Sequence, residues 1–257
     1  MTKSFFHYDK PVLTAMVQDK TPDSAICTIM DSLYDGAEAF GIQLCNLLPE
    51  YRTEEHLTRI FKACEGRPIY ITSYRGGASK GLSDEECVEL LLMGLRAGVS
   101  MSEMLCDVMG DVYGKTQDQL SFEPAVIERQ RALIDRIHAM GGKVLISTHL
   151  SRFFEEDELM EYAHAQHARG ADLVKIVTKA DTPEQEAANL MITYRLKREL
   201  DCPFLFLSGG MYTRLIRQIG PALGCCMYLC VQRYHPVTAK AQPLLRSVKA
   251  IRDNMLL

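Results

Sequence analysis

Short apolar runs alternate with longer amphipathic segments along the whole chain, and this alternation limits the fold more than any other feature. The apolar runs are rich in β-branched residues, which is typical of buried parallel strands. There are eight of them, at residues 11–17, 37–44, 67–73, 103–109, 143–148, 172–177, 203–208 and 225–231. A strand followed by a helix, repeated about every 30 residues, predicts a (β/α)8 TIM barrel.

The segments between these runs carry helix start and stop signals. Ser83 and Glu86 form a predicted capping box, and that helix is expected to end at Gly98. Pro124 is placed to open a second helix, and Thr182 to cap a third. The segments are therefore predicted to be the helices that connect parallel strands.

An open doubly wound sheet is the alternative architecture, but its usual motifs are missing. The first predicted strand is not followed by G-x-G-x-x-G, and the chain contains no G-x-x-x-x-G-K-[ST]. No Pro/Gly/Ser-rich linker or abrupt change of composition divides the sequence. We therefore predict one barrel domain over residues 1–257.

Composition narrows the partners that the protein could have. The hydrophobic share is 47%, which is ordinary for a soluble globular protein, and the net charge of −4 offers no basic surface. We expect no nucleic-acid partner, no membrane association and no signal peptide. The nine cysteines never form C-x-x-C, so buried reduced thiols in a cytoplasmic protein are expected rather than a metal site.

Catalytic groups of a barrel lie at the carboxyl ends of its strands, where Lys175 and His149 are found on neighbouring predicted strands. Burial lowers the pKa of a lysine and favours its neutral form, and a neutral lysine can form a Schiff base with a ketone. The structural alternatives are a salt bridge to a carboxylate of a neighbouring strand, or a side chain that extends to the rim. Histidine suits proton transfer, so the pair could act on one substrate.

The segments around these residues resemble type I 3-dehydroquinate dehydratase, a Schiff-base-forming barrel enzyme of the shikimate pathway and aromatic amino acid biosynthesis. The similar stretches are PIYITSYRGG, VLISTHLSRFF, ADLVKIVTKADTPEQ, LSGGMYTRLIRQIGPALGC and TAKAQPL. The resemblance implies that Lys175 forms the imine and His149 transfers protons. It also implies substrate contacts from the following residues: Arg75, Arg217 for the carboxylate in preference to Arg214, Gln242 and, as a weaker candidate, Thr238.

The sequence departs from the family pattern at acidic positions. Gly41, Ser79 and Met109 stand where the family motifs carry acidic residues. The resemblance implies that a glutamate at the position of Ser79 would pair with His149. Without a carboxylate partner, His149 is expected to have a pKa lower than that of a paired histidine, and dehydration of dehydroquinate is expected to be slow.

The leading hypothesis is therefore a divergent Schiff-base lyase acting on 3-dehydroquinate or a related carboxylated cyclic ketone. Its chemistry requires no metal and no dissociable cofactor, because the lysine supplies the electrophile. One alternative is a class I aldolase for a phosphorylated keto compound, with Ser208-Gly209-Gly210 near the phosphate. Another is a degenerate barrel that only binds a metabolite. The oligomeric state stays open, a homodimer included.

Overall fold

Eight parallel strands form the sheet of the computed structural model, which describes residues 5–6, 10–76, 80–110, 118–234 and 241–255. The strands are β1 (Val12–Val17), β2 (Ala39–Gln43), β3 (Ile69–Thr72), β4 (Met101–Leu105), β5 (Lys143–His149), β6 (Leu173–Lys179), β7 (Phe204–Gly209) and β8 (Met227–Cys230). Their order is β7-β6-β5-β4-β3-β2-β1-β8, so the first and last strands pair with each other. The main-chain N–H of Cys226 donates to Phe204 O at 2.9 Å and links the two remaining edges.

A helix follows each strand, as a (β/α)8 barrel requires. The helices are α1 (Pro22–Tyr34), α2 (Glu54–Lys62), α3 (Asp84–Arg96), α4 (Pro124–Ala139), α5 (Glu156–Ala168), α6 (Pro183–Glu199), α7 (Arg214–Leu223) and α8 (Leu245–Met255). The predicted barrel is therefore confirmed, and the open sheet is excluded as the architecture of this chain.

The helix ends follow the signals in the sequence. Ser83 accepts a hydrogen bond from the Glu86 N–H, and the Glu86 carboxylate accepts one from the Ser83 N–H, which completes the capping box of α3. Pro124 opens α4, and the Thr182 hydroxyl caps α6 by accepting from the Gln185 N–H. These caps satisfy main-chain groups that the first turn of a helix leaves unpaired.

One strand prediction was wrong in its bounds. Residues 103–109 were expected to form the fourth strand, whereas β4 runs from Met101 to Leu105 and Asp107 lies in the turn beyond it. A polar residue, Ser102, is fully buried within β4, and this obscured the start of the strand in the sequence. The shift moves Glu103 from the beginning of the predicted strand to the middle of the real one.

Pairing across the sheet shows which side chains share a face. Lys175 is opposite Ser147, and Glu103 is opposite Leu145, two residues before Ser147. Because side chains alternate along a strand, Glu103, Ser147 and Lys175 all point to the same side of the sheet. The 2.7 Å contact between Glu103 and Lys175 across β5 identifies that side as the interior of the barrel.

Candidate active site

Lys175 lies inside the barrel as half of an ion pair. Only 4% of the residue is exposed, and its Nζ is 2.7 Å from Oε1 of Glu103, which is 2% exposed. Burial opposes ionisation of Glu103, but the positive charge of Lys175 and the hydrogen bonds from Lys175 and Tyr74 together hold the pKa of the carboxyl below its usual value. Of the alternatives left open by the sequence, the salt bridge is the one present, and the carboxylate comes from two strands away.

Tyr74 connects this ion pair to His149. Its hydroxyl donates to Glu103 Oε1 at 2.6 Å and accepts from Lys175 Nζ at 3.1 Å. Burial, and then the negative charge of Glu103, raise the pKa of Tyr74, so the phenol keeps its proton. Its ring packs edge-on against the imidazole of His149, with centroids 5.5 Å apart. One tyrosine therefore contacts both predicted catalytic side chains.

His149 is the last residue of β5 and is partly buried. Removal from water and the positive charge of Lys175 lower its pKa to about 3, with a smaller contribution from Arg217, while Glu103 opposes the shift. The imidazole is therefore neutral at physiological pH and able to accept a proton. The lowered pKa is consistent with the prediction from the sequence, but its causes are burial and Lys175 rather than the residue at position 79.

The amide of Gln119 meets the other side of the imidazole. Its Oε1 lies within hydrogen-bond distance of His149 Nδ1, and its main-chain N–H donates to His149 O at 3.1 Å. Ser79, which the sequence placed beside the histidine, is outside the described residues. The ring partner that the described residues supply is thus a neutral amide.

Arg217 provides a cation with neutral partners. Its guanidinium is half-buried and donates to Ser208 O at 2.8 and 3.1 Å and to the Thr213 hydroxyl at 3.0 Å. Loss of hydration lowers its pKa to about 10, which still leaves the group charged at neutral pH. Arg214 is exposed at the start of α7. Of the two arginines, Arg217 has the environment of an anion-binding residue.

Arg75 lies in a different environment. It follows β3, is 8% exposed, and is 3.2 Å from an Asp84 oxygen and 2.5 Å from an Asp107 oxygen. Burial raises the pKa of Asp107, while Arg75 opposes that rise. These ion pairs hold the loop after β3 to the start of α3 and to the turn after β4.

The last two predicted ligands lie in the segment before α8. Gln242 is 7% exposed, and its Oε1 is buried without a hydrogen-bond partner among the described residues. Such an acceptor is suited to a ligand hydroxyl, because an unpaired buried polar atom is unfavourable. Thr238 lies outside the described residues.

Three residues of the site were not predicted from the sequence: Glu103, Tyr74 and Gln119. Glu103 carried a signal, since an acidic residue in an apolar run is the same anomaly as Lys175 and could serve as its counter-ion. The absence of acidic residues at Gly41, Ser79 and Met109 therefore does not leave Lys175 without a carboxylate. Tyr74 and Gln119 follow β3 and β4 and carried no comparable signal.

Two main-chain groups of the turn considered for a phosphate are hydrogen-bonded within the protein. Ser208 O accepts from Arg217 and from the hydroxyl of Thr213, and the Met211 N–H donates to Asp181.

Within the described ranges, no group of three or more His, Cys, Asp or Glu could hold a metal ion. No helix in that part of the chain has the length and apolarity needed to cross a membrane.

Comparisons with known proteins agree with this geometry. A sequence model of type I 3-dehydroquinase matches residues 36–253. A search of curated proteins finds no match. Among solved structures, 3-dehydroquinate dehydratase from Geobacillus kaustophilus HTA426 is similar, with a TM-score of 0.80, 16% identity and coverage of 96% of this chain and 91% of that one.

Two further structures have the same fold. The type I 3-dehydroquinate dehydratase of Clostridium difficile, described with covalently modified comenic acid, has a TM-score of 0.79, 15% identity and coverage of 96% and 93%. The 3-dehydroquinate dehydratase of Enterococcus faecalis has a TM-score of 0.75, 12% identity and coverage of 95% and 94%. Identities this low establish the shared fold alone.

Proposed function

Because the chain belongs to the type I 3-dehydroquinase family, we propose that it dehydrates 3-dehydroquinate, or a closely related carboxylated cyclic ketone, through a Schiff base on Lys175. The observation that carries this proposal is the contact of Tyr74 with both Lys175 and His149 inside the barrel. This arrangement brings a nucleophile and a neutral base to the same end of the barrel.

The first step is the attack of Lys175 on the ketone. The lysine must lose a proton before its nitrogen can bond to carbon, and Glu103 Oε1, 2.7 Å away, is placed to accept it. The carbonyl oxygen leaves as water after taking up two protons, and a protonated imine forms. Tyr74, which keeps its own proton, holds the lysine and the glutamate in position through its hydroxyl group.

The second step is the elimination of the hydroxyl group. His149 removes a proton from the carbon next to the iminium, and the electrons of that C–H bond are delocalised onto the iminium nitrogen. When they return, the C–O bond breaks, and the imidazolium gives its proton to the departing hydroxyl. Water then hydrolyses the product imine and releases Lys175.

Substrate binding is assigned to the remaining predicted residues. Arg217 would hold the carboxylate, since its present partners are a carbonyl and a hydroxyl and its charge is not neutralised by them. The unpaired Oε1 of Gln242 would accept a hydrogen bond from a substrate hydroxyl. Arg75 and Thr238 stay proposed hydroxyl contacts, with Arg75 oriented by Asp84 and Asp107.

Trapping the imine tests this proposal. Incubation with 3-dehydroquinate and sodium borohydride should add the mass of the reduced ligand to the protein, and peptide mapping should find it on Lys175. Lys175→Ala should abolish the adduct. Lys179→Ala is the matched control, because Lys179 belongs to the same strand and lies outside the Glu103–Tyr74 contacts.

Two results would contradict the proposal. An adduct that persists in Lys175→Ala would show that another lysine reacts. Absence of any adduct in the wild type, together with no formation of a conjugated enone by absorbance, would show that dehydroquinate is not a substrate.

A further inference from the structure

A short segment after β4 returns to the carboxyl end of the barrel and lies against the end of β5. Leu120 forms a parallel bridge with Cys106, and the Gln119 N–H donates to His149 O at 3.1 Å. The carboxylate of Asp118 accepts from the Ser151 N–H at 2.6 Å. Residues 118–121 are therefore attached to two adjacent strands.

A buried arginine fixes the same segment from the other side. Arg169 follows α5, is 4% exposed, and donates to Ser121 O, to Cys106 O at 3.1 Å and to Gln130 Oε1 at 2.8 Å. Arginine is suited to such a junction because its planar fork donates to several acceptors at once. The main chain that carries Gln119 is thus held at a fixed distance from His149.

The side chain of Gln119 determines which imidazole nitrogen is free. Its Oε1 is within hydrogen-bond distance of His149 Nδ1, and an amide oxygen can only accept a hydrogen bond. With the amide in this orientation, Nδ1 carries the ring proton of the neutral imidazole. Nε2 is left with a lone pair, which is the form that a general base requires.

We infer that Gln119 is a positioning residue that holds His149 in the tautomer with an unprotonated Nε2, a role that a carboxylate fills in other histidine bases. The tautomer follows from contacts within the protein, whereas its catalytic consequence rests on the proposed function.

An amide acceptor differs from a carboxylate in its electrostatic effect on His149. Among the described residues, the charged and titratable groups that face His149 are Lys175 on β6, Glu103 on β4, Tyr74 after β3 and Arg217 on α7. The amide orients the ring without adding negative charge to this set. Gln119 therefore determines which ring nitrogen of His149 can accept a proton but does not stabilise the imidazolium.

Nitrogen-15 NMR of histidine-labelled protein tests the inference without any substrate. Loss of signals in His149→Gln identifies the His149 resonances. In the wild type, Nδ1 should have the shift of a protonated nitrogen and Nε2 that of an unprotonated one. Gln119→Met, which has similar size and no acceptor oxygen, should shift the ring towards the Nε2-protonated tautomer. Gln119→Glu should keep the wild-type tautomer and raise the pKa of His149.

Kinetics provide the second measurement. Gln119→Met should lower kcat on 3-dehydroquinate about tenfold or more with little change in KM, because it disturbs a base that contributes about 10²–10⁴ in rate. Asp118→Ala is the matched control. It loosens the same segment but keeps the acceptor, so the His149 tautomer should stay as in the wild type.

The inference is overturned if wild-type Nε2 is protonated, if Gln119→Met leaves the tautomer unchanged, or if Asp118→Ala changes it as much. Should Gln119→Met fail to fold, the wild-type tautomer and the pKa of His149 in Gln119→Glu still decide. Failure of borohydride trapping with an unprotonated Nε2 would reject the proposed function alone. Successful trapping with a protonated Nε2 would reject this inference alone.

Discussion

The two halves of the barrel mouth are built from different chemistry. On the side of β3 to β6, Lys175, Glu103, Tyr74 and His149 form a connected set of titratable groups. On the side of β1 and β2, the corresponding positions hold amides. Proton transfer can therefore occur in the first set, whereas the amides of the second can only donate and accept hydrogen bonds.

The amide side is a cluster of three residues: Gln18, Gln43 and Asn46. Gln43 Oε1 accepts from Gln18 Nε2 at 3.0 Å and from Asn46 Nδ2 at 3.2 Å. Gln18 Oε1 is buried without a partner among the described residues. The cluster is charge-free but retains an unused acceptor, which suits contact with an uncharged polar part of a ligand.

Below this amide cluster, an aromatic ring fills the space that a longer side chain on β2 would need. Tyr70 is fully buried and its hydroxyl is 3.1 Å from Met16 Sδ. A Cβ on Gly41 would lie 2.5 Å from both Met16 Sδ and the Tyr70 ring. Gly41 is therefore a steric requirement, and an acidic residue at this position is incompatible with Tyr70.

The largest expected effect is in the titratable half. Glu103→Gln removes the counter-charge of a buried ammonium, and breaking a buried ion pair costs about 3–5 kcal/mol. We expect a loss of that order in the free energy of unfolding by urea, and a large fall in the rate of borohydride trapping. In the Glu103→Gln/Lys175→Met double variant, most of the lost stability should return. If Glu103→Gln alone unfolds like the wild type, the ion pair contributes nothing and the comparison fails.

A smaller loss is expected from Gly41→Ala in the amide half, because an added methyl must displace Tyr70 or Met16. Overpacking of this kind costs about 1–3 kcal/mol, measured as a shift of the urea midpoint. Gly76→Ala is the control, since a methyl group added there would meet no atom of the described residues within 4 Å. Combining Gly41→Ala with Tyr70→Leu should remove the part of the conflict that comes from the ring and restore some of the lost stability, while the contact with Met16 stays. Equal stability of Gly41→Ala and the wild type would show that Tyr70 does not exclude a side chain there.

The sequence predicts the backbone fold better than it predicts the contacts of the site. The alternation of apolar runs and capped helices predicts the barrel, because burial and hydrogen bonding of each repeat are local properties. Lys175, His149 and Arg217 could be named because motif spacing carries them. The Glu103–Lys175 contact and the Gln119–His149 contact could not, since each joins residues that only the folded barrel brings together. The bounds of β4 were missed because two polar residues, Ser102 and Glu103, are buried within the strand.

The pH dependence of stability offers a further test of the titratable half. His149 is neutral in the folded protein down to a pKa of about 3, whereas an unfolded histidine titrates near its ordinary value of 6.5. Between these values the unfolded chain binds the extra proton, so the free energy of unfolding decreases as pH falls, by about 1.4 kcal/mol per pH unit. Above pH 6.5 this contribution is constant and complete.

The comparison of wild type with His149→Gln isolates that contribution, because the other titrating groups are common to both proteins. Urea unfolding at a series of pH values should give a steeper acid decline for the wild type. Parallel curves would mean that His149 titrates alike in the folded and unfolded states and is not shielded from water as described.

The smallest expected effect is that of Gln43→Ala in the amide cluster. Gln43 is the common acceptor for two amide donors, so its removal weakens binding of an uncharged ligand group but touches no proton-transfer atom. A neutral hydrogen bond contributes about 0.5–1.5 kcal/mol, which predicts a rise in KM for 3-dehydroquinate of about two- to tenfold. Because the ion pair and His149 stay in place, kcat should change by less than about twofold.

Gln119→Met is the natural counterpart, since both variants remove one glutamine amide near the mouth of the barrel. If chemistry is confined to the side of β3 to β6, Gln119→Met lowers kcat and Gln43→Ala raises KM. Steady-state kinetics on both proteins under identical conditions separate the two patterns. A fall in kcat for Gln43→Ala, with borohydride trapping slowed to match, would mean that the amide cluster orients the reacting ketone. The division between a reacting half and a binding half would then have to be withdrawn, even if the tautomer of His149 were as described.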